Sequence, residues 1–187
     1  MSKRLARSDW IDAGLAVLAT HGVDAVRVER IATDLGVTKG SFYWHFKDRS
    51  ALLTAALEAW QSQATNAIIT HVDAKGGDAR TRLTTLFTVV ASADGSLDRA
   101  IRHWAANDVV PRSAMDAVDR RRMSYLQALF AEIGFAPAEA EARARLVYHA
   151  LVGQFAMGET THSEARLREV LDIILPMMVR FDHAPTQ

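Results

Sequence analysis

Cysteine is absent from this 187-residue chain. That excludes disulfides and thiolate metal sites, and it fits a reducing compartment. Net charge is absent too: 22 Lys and Arg balance 22 Asp and Glu. No apolar run reaches the roughly 20 residues of a membrane span. The basic N-terminus has no apolar signal core before Trp10, so secretion is not expected and a cytoplasmic protein is. Strand-like alternation, internal repeats and low-complexity segments are all missing. So are a glycine-rich phosphate loop, a Gly-x-Ser-x-Gly elbow and a His-Glu-x-x-His zinc site. Glu159-Thr160-Thr161-His162 has the Glu-x-x-His form of di-iron bundles, but such sites need a second copy and further glutamates. The chain has no second copy, so no enzyme, cofactor or metal is expected.

Apolar residues make up 49% of the chain, enough for a substantial core. They recur at helical spacing. Trp10, Ile11, Leu15, Val17 and Leu18 predict a helix over 8–20, closed by Gly22. Val28, Ile31, Ala32 and Leu35 predict a second. Gly36 then supplies the left-handed stop that glycine adopts cheaply. Val37 turns into the core, and Thr38 suits the N-cap of a third helix. From Asp48 or Ser50, a long helix should pass through Leu53, Leu57, Trp60, Ala64 and Ile68 toward His71. Lys75-Gly76-Gly77-Asp78 breaks it.

Leu83, Leu86, Phe87 and Val90 mark the next helix. After Asp94-Gly95, Ser96 is the expected cap of a helix bearing Leu97, Ile101 and Trp104. Pro111 permits a new start, and Met115, Val118, Tyr125, Leu129 and Ile133 follow until Gly134. Pro137 opens a helix through Leu146, Ala150 and Met157. Leu167, Leu171, Ile174, Met178 and Phe181 mark the last, which Pro176 should kink or end near Leu175. The expectation is an all-α chain of about nine helices. It divides into an N-terminal three-helix domain over 1–50 and a larger helical domain over 51–187.

Two short helices joined by a tight turn, over 26–46, have the spacing of a helix-turn-helix, whose second helix lies in the DNA major groove. Charge supports this only mildly. The first 50 residues carry eight cations against six acids, a net of +2. Ile31-Ala32, Leu35-Gly36-Val37 and Ser41-Phe42-Tyr43-Trp44-His45-Phe46-Lys47 resemble the DNA-binding domain of TetR-type transcriptional regulators. The resemblance covers roughly the first 50 to 55 residues. Beyond them only the all-helical organisation is similar.

The resemblance implies that Thr38, Lys39, Gly40 and Ser41 face the groove, while Tyr43, His45 and Lys47 contact phosphates. Free N–H groups and the dipole at the start of that helix favour an anion, and Gly40 removes a side chain where the helix comes close. Lysine can donate to guanine O6 and N7, so Lys39 is the best candidate for base reading. A solvated lysine is the plain alternative. Trp44 can either contact DNA or pack against the first helix. Phe42 and Phe46 are expected in the core. His45 can cap a helix end instead of binding phosphate. Arg27 and Arg30 flank the second helix as phosphate ligands or solvated charges. Glu29 can accept from cytosine or merely discourage nonspecific binding. Lys3, Arg4 and Arg7 resemble a flexible arm able to follow the minor groove.

The same resemblance implies a homodimer reading a palindromic operator in double-stranded DNA. The last two long helices should form its seam, where Ala150, Gly153 and Ala156 allow close approach. It also implies a small-molecule effector held in the helical body, without membrane involvement. Repression is the commoner role in the family. Polar or aromatic groups on apolar stripes are the candidate pocket residues: His71, His103, Trp104, Asn107, Tyr125 and His149, with Gln154 beside them. Arg122 either pairs with Asp119 or recognises an anionic effector.

Overall fold

The computed structural model describes residues 5–157 and 169–180. The chain is all-α, and no strand occurs among the described residues. In order, the elements are α1 (Arg7–His21), a 3-10 turn (Val23–Ala25), α2 (Val28–Asp34), α3 (Lys39–Tyr43) and α4 (Arg49–Gln61). A wide π-turn (Ser62–Asn66) leads into α5 (Ala67–Lys75), then α6 (Ala79–Ala91) and α7 (Ser96–Ala105). Next come α8 (Val109–Ile133) and α9 (Pro137–Ala156), and after them a π-turn (Val170–Ile174) and α10 (Leu175–Met178).

These elements form two compact units. The first comprises Met1–Thr65 with Gly95–Val118, the second Asn66–Asp94 with Asp119–Gln187. In the first unit α1 packs against α4 and α7. Trp10, Leu18, Ile31, Phe42, Leu52, Trp60 and Ile101 are almost wholly buried in one cluster. The second unit has its own core, centred on Leu83, Leu129, Phe130, Ala140 and Ala144. Here Arg143 ties α9 to the end of α10. Its guanidinium lies 4.0 Å over the Phe135 ring, and donates to Met178 O at 2.6 Å and Arg180 O at 3.1 Å.

Helix boundaries follow from caps. Asp48 accepts from Ala51 N at 2.8 Å, and Asp78 accepts from Thr81 N at 2.8 Å and Thr81 Oγ1 at 2.7 Å. Each satisfies a donor that the first helical turn leaves open. Asp78 is held below the usual carboxylate range, chiefly by the bond from Thr81 N.

Three sequence expectations are corrected, and an alternative left open at Pro176 is narrowed. Gly95, not Ser96, is the cap of α7, because its φ of 64° lies in the left-handed region and the helix starts at Ser96 itself. Pro111 is not the first residue of α8. The helix begins two residues earlier, where Asp108 Oδ1 accepts from Val110 N at 3.0 Å. Of the two outcomes expected at Pro176, a kink or an end near Leu175, the end does not occur. The path continues to Met178, with the wide turn Val170–Ile174 just before the ring, where a missing N–H breaks the ordinary ladder. Arg7 is not part of a loose arm: it opens α1, and its guanidinium lies 4.8 Å from the Phe46 ring centroid. Lys3 and Arg4 lie outside the described residues, as do Leu167, Phe181 and the Glu159–His162 motif.

Candidate nucleic-acid interface

The turn between α2 and α3 is held by three backbone bonds. Leu35 N donates to Ile31 O at 2.9 Å, Gly36 N to Thr33 O at 3.0 Å and Val37 N to Ala32 O at 2.9 Å. The last two make the paired closure of a Schellman motif. Gly36 sits at its centre with φ of 68°, a value that a Cβ disfavours. Thr38 occupies the N-cap of α3 as expected, but its hydroxyl makes no capping bond. Ser41 N donates to Thr38 main-chain O instead, at 3.0 Å.

One face of α3 is anchored in the core. Phe42 is fully buried, with its ring centroid 5.3 Å from Trp10 and 5.5 Å from Phe46. The other face is open. Thr38, Lys39, Gly40, Tyr43, Trp44 and Lys47 are exposed, while Ser41 and His45 are half-buried. Trp44 is 87% exposed, so it is not packed against α1. Tyr43 stands edge-on to Phe42 with its ring centroid 5.3 Å away, which steadies an otherwise exposed ring. A Cβ added at Gly40 would meet only Thr38 Oγ1, at 3.6 Å. Nothing inside the domain therefore demands glycine at that position.

The charged residues of α2 and α3 are held by local partners. Lys39 forms an ion pair with Glu29 of α2, both side chains being more than half exposed. The hydrogen bond from Lys39 is the main cause holding the Glu29 carboxyl below its ordinary range. Arg30 lies 3.8 Å from Asp34 and 3.1 Å from His21 Nε2, and Arg27 Nε donates to Asp24 O at 3.1 Å.

Arg49 is a positioning residue that the sequence did not reveal. From the first turn of α4 it donates to Val26 O at 2.6 Å and Val23 O at 2.5 Å, fixing the segment that enters α2. Those carbonyls are 23 and 26 residues away, and no local pattern announces such a contact.

The six candidate effector residues do not fall in one unit. His103, Trp104 and Asn107 belong to the first unit, and His71, Tyr125 and His149 to the second. The four residues His71, His103, Asn107 and His149 are exposed; Trp104 and Tyr125 are half-buried. Both of these aromatic residues spend their polar atom on a carboxylate. Trp104 Nε1 donates to Asp108 Oδ2 at 3.1 Å, and Tyr125 Oη to Asp73 Oδ1 at 2.6 Å. Burial pushes the Tyr125 phenol well above its usual value, and the bond to Asp73 adds to this. Tyr125 is therefore a fixed donor at neutral pH. Among the described residues no cluster of His, Asp or Glu could hold a metal ion, and no helix is long and apolar enough to cross a membrane.

Residues 11–56 match the family model described as bacterial regulatory proteins, tetR family. The chain is 37% identical over 60 residues to the HTH-type transcriptional regulator AcrR of Shigella flexneri, covering 32% of this chain and 26% of that protein. It is 40% identical over 52 residues to the class D tetracycline repressor protein of Escherichia coli, covering 28% and 24%. The aligned part thus spans about a quarter of the length of these relatives. The solved structure of a TetR transcriptional regulator from Legionella pneumophila shares the fold. It superposes with a TM-score of 0.77 at 13% identity, over 96% of this chain and all of that one (100%).

Proposed function

Since residues 11–56 match the tetR family model, we propose that the chain is a TetR-family DNA-binding transcriptional regulator, a repressor released from its operator by a small-molecule effector. One observation carries the reading. α3 and the turn after it present Lys39, Tyr43, Trp44 and Lys47 to solvent while Phe42 and Phe46 anchor them in the core. An exposed tryptophan and tyrosine beside two lysines bury little surface in the fold, but suit a polyanion with stackable and apolar edges. In this reading Tyr43, His45 and Lys47 set the register on phosphates. Thr38, Lys39, Gly40 and Ser41 approach the bases, with Gly40 leaving room for the backbone to come close.

One α3 helix reads only a few base pairs, so a homodimer reading a palindrome is part of the proposal. The second unit supports it. On α9, Leu146, His149, Ala150 and Met157 are exposed, and nothing lies within 4 Å of a Cβ built at Gly153. Ile173 and Met177 are 57% exposed as well. Residues 1–50 would serve as the DNA-reading domain, and 51–187 as the effector and dimerisation domain. Trp104 in the first unit and Tyr125 in the second are the residues to probe first, each reporting by fluorescence on its own unit when candidate effectors are added. The site of action is the cytoplasm. The rival reading, an adaptor that kept the fold without DNA binding, does not explain the exposed Tyr43 and Trp44.

Selection of random duplex DNA by the purified chain, followed by sequencing, tests the proposal. Enrichment of a palindrome with half-sites one helical turn apart, about 34–36 Å, supports it. A folded chain that enriches nothing at low salt contradicts it.

A further inference from the structure

Resting on that DNA-reading role, we infer that Glu29 and Lys39 act as one unit that reads a single G·C base pair in the major groove. Lys39 would donate to guanine O6 and N7, and Glu29 would accept from the cytosine N4 amino group.

The two residues come from different helices, α2 and α3, and meet across the turn closed by Gly36. An ammonium has three N–H donors. One is spent on Glu29, which leaves two for the two acceptors of guanine. A carboxylate has four lone-pair positions. One is taken by Lys39 and another by a backbone N–H, which still leaves positions that can accept from N4. The ion pair therefore need not break when the base pair is read. It also orients each group before contact, so less side-chain freedom is lost on binding.

Along the major-groove edge a G·C pair shows two acceptors on guanine and then one donor on cytosine. A cation beside an acceptor is the complement of that order. An A·T pair places the adenine N6 amino group where guanine has O6, facing the ammonium. It places thymine O4 where cytosine has N4, facing the carboxylate. Both meetings are repulsive. Reversing the pair to C·G exchanges the two sides and mismatches both groups again.

Folding does not account for the pair. The side chains of Lys39 and Glu29 are 54% and 62% exposed, and exposed ion pairs add little to stability. The bond from Lys39 keeps Glu29 ionised below the ordinary glutamate range, so the acceptor persists at neutral pH.

The test is selection of random duplexes by the full-length protein, by Glu29→Gln and by Lys39→Met, with sequencing of each pool. Thermal unfolding confirms that both variants stay folded. The expected result is a wild-type palindrome with a G·C pair at one position of each half-site, preferred over A·T about tenfold or more. Both variants should lose that preference and keep the others. If Glu29→Gln enriches the same palindrome with every preference intact, the inference is overturned. A uniform gain in affinity for all sequences, with that position unchanged, overturns it too and leaves Glu29 as a repeller of phosphate. If the wild type enriches nothing, the DNA-reading role itself fails and takes the inference with it.

Discussion

Trp60 Nε1 donates a hydrogen bond of 3.1 Å to Asp98 Oδ1 inside the first unit, where both residues are buried. Trp60 comes from α4 and Asp98 from α7, so the bond crosses two helices that pattern alone leaves independent. A buried carboxylate needs its donors. Trp60→Phe keeps most of the ring and removes this donor. It should destabilise the protein by about 2 kcal/mol, as expected for a hydrogen bond to a charged group. Chemical denaturation of the variant beside the wild type measures it. An unchanged midpoint would mean that other contacts of Asp98 suffice.

Two glycines with positive φ should respond differently to alanine. At Gly36, φ is 68° and nothing lies within 4 Å of an added Cβ. The cost of Gly36→Ala is then only conformational, about 1–2 kcal/mol. At Gly77, φ is 93° and the Cβ would sit 2.8 Å from Thr81 Cγ2. Thr81 is held by its bonds to Asp78, so it cannot simply turn away. Gly77→Ala should therefore lower the unfolding midpoint more than Gly36→Ala.

Adjacent residues of α3 should separate stability from DNA affinity. Phe42→Ala empties a fully buried site against Trp10 and Phe46, at a cost of about 3–5 kcal/mol. Tyr43→Ala removes a ring that is 61% exposed. It should leave the unfolding midpoint and the proposed dimer nearly unchanged and weaken binding to the selected duplex. Equal loss of dimer and DNA affinity would make Tyr43 structural instead.

The cap at Asp78 sets a pH dependence. Its carboxyl is depressed by the bonds from Thr81, so the ionised form is favoured in the folded state. The resulting stability is present in full above the ordinary aspartate range, and is lost as pH falls through the depressed value. Asp78→Ala should therefore melt below the wild type at neutral pH, and the gap should close on acidification. A gap that stays constant would locate the cap's worth elsewhere than in its charge.

Much of the N-terminal helical segment was legible because its signals are local. Gly36 announced a left-handed stop, and the stop is there. Phe42 and Phe46, four residues apart, were expected in the core and are buried. Of the two capping candidates Asp48 and Ser50, Asp48 takes the role and accepts from Ala51 N. The failures come from contacts over distance or from competition between neighbours. Apolar periodicity through Trp60, Ala64 and Ile68 continues across Ser62–Asn66, so the wide turn there leaves no mark in the pattern. Gly95 displaced Ser96 because a glycine can enter the helix from a left-handed conformation without any side-chain bond. Arg7 looks like any tail cation until Phe46 comes to lie beneath it. Glu29 and Lys39 are ten positions apart, and only the turn at Gly36 makes them a pair.

The most direct test of the central claim is the salt dependence of binding to the selected duplex, measured beside a scrambled duplex of equal length. A reader that neutralises phosphates releases counterions, so the logarithm of affinity should fall linearly with the logarithm of salt concentration, by about 0.9 per phosphate contacted. The selected duplex should bind tighter than the scrambled one at every salt concentration. Affinity that ignores salt, or that does not distinguish the two duplexes, would contradict a sequence-reading role for this surface.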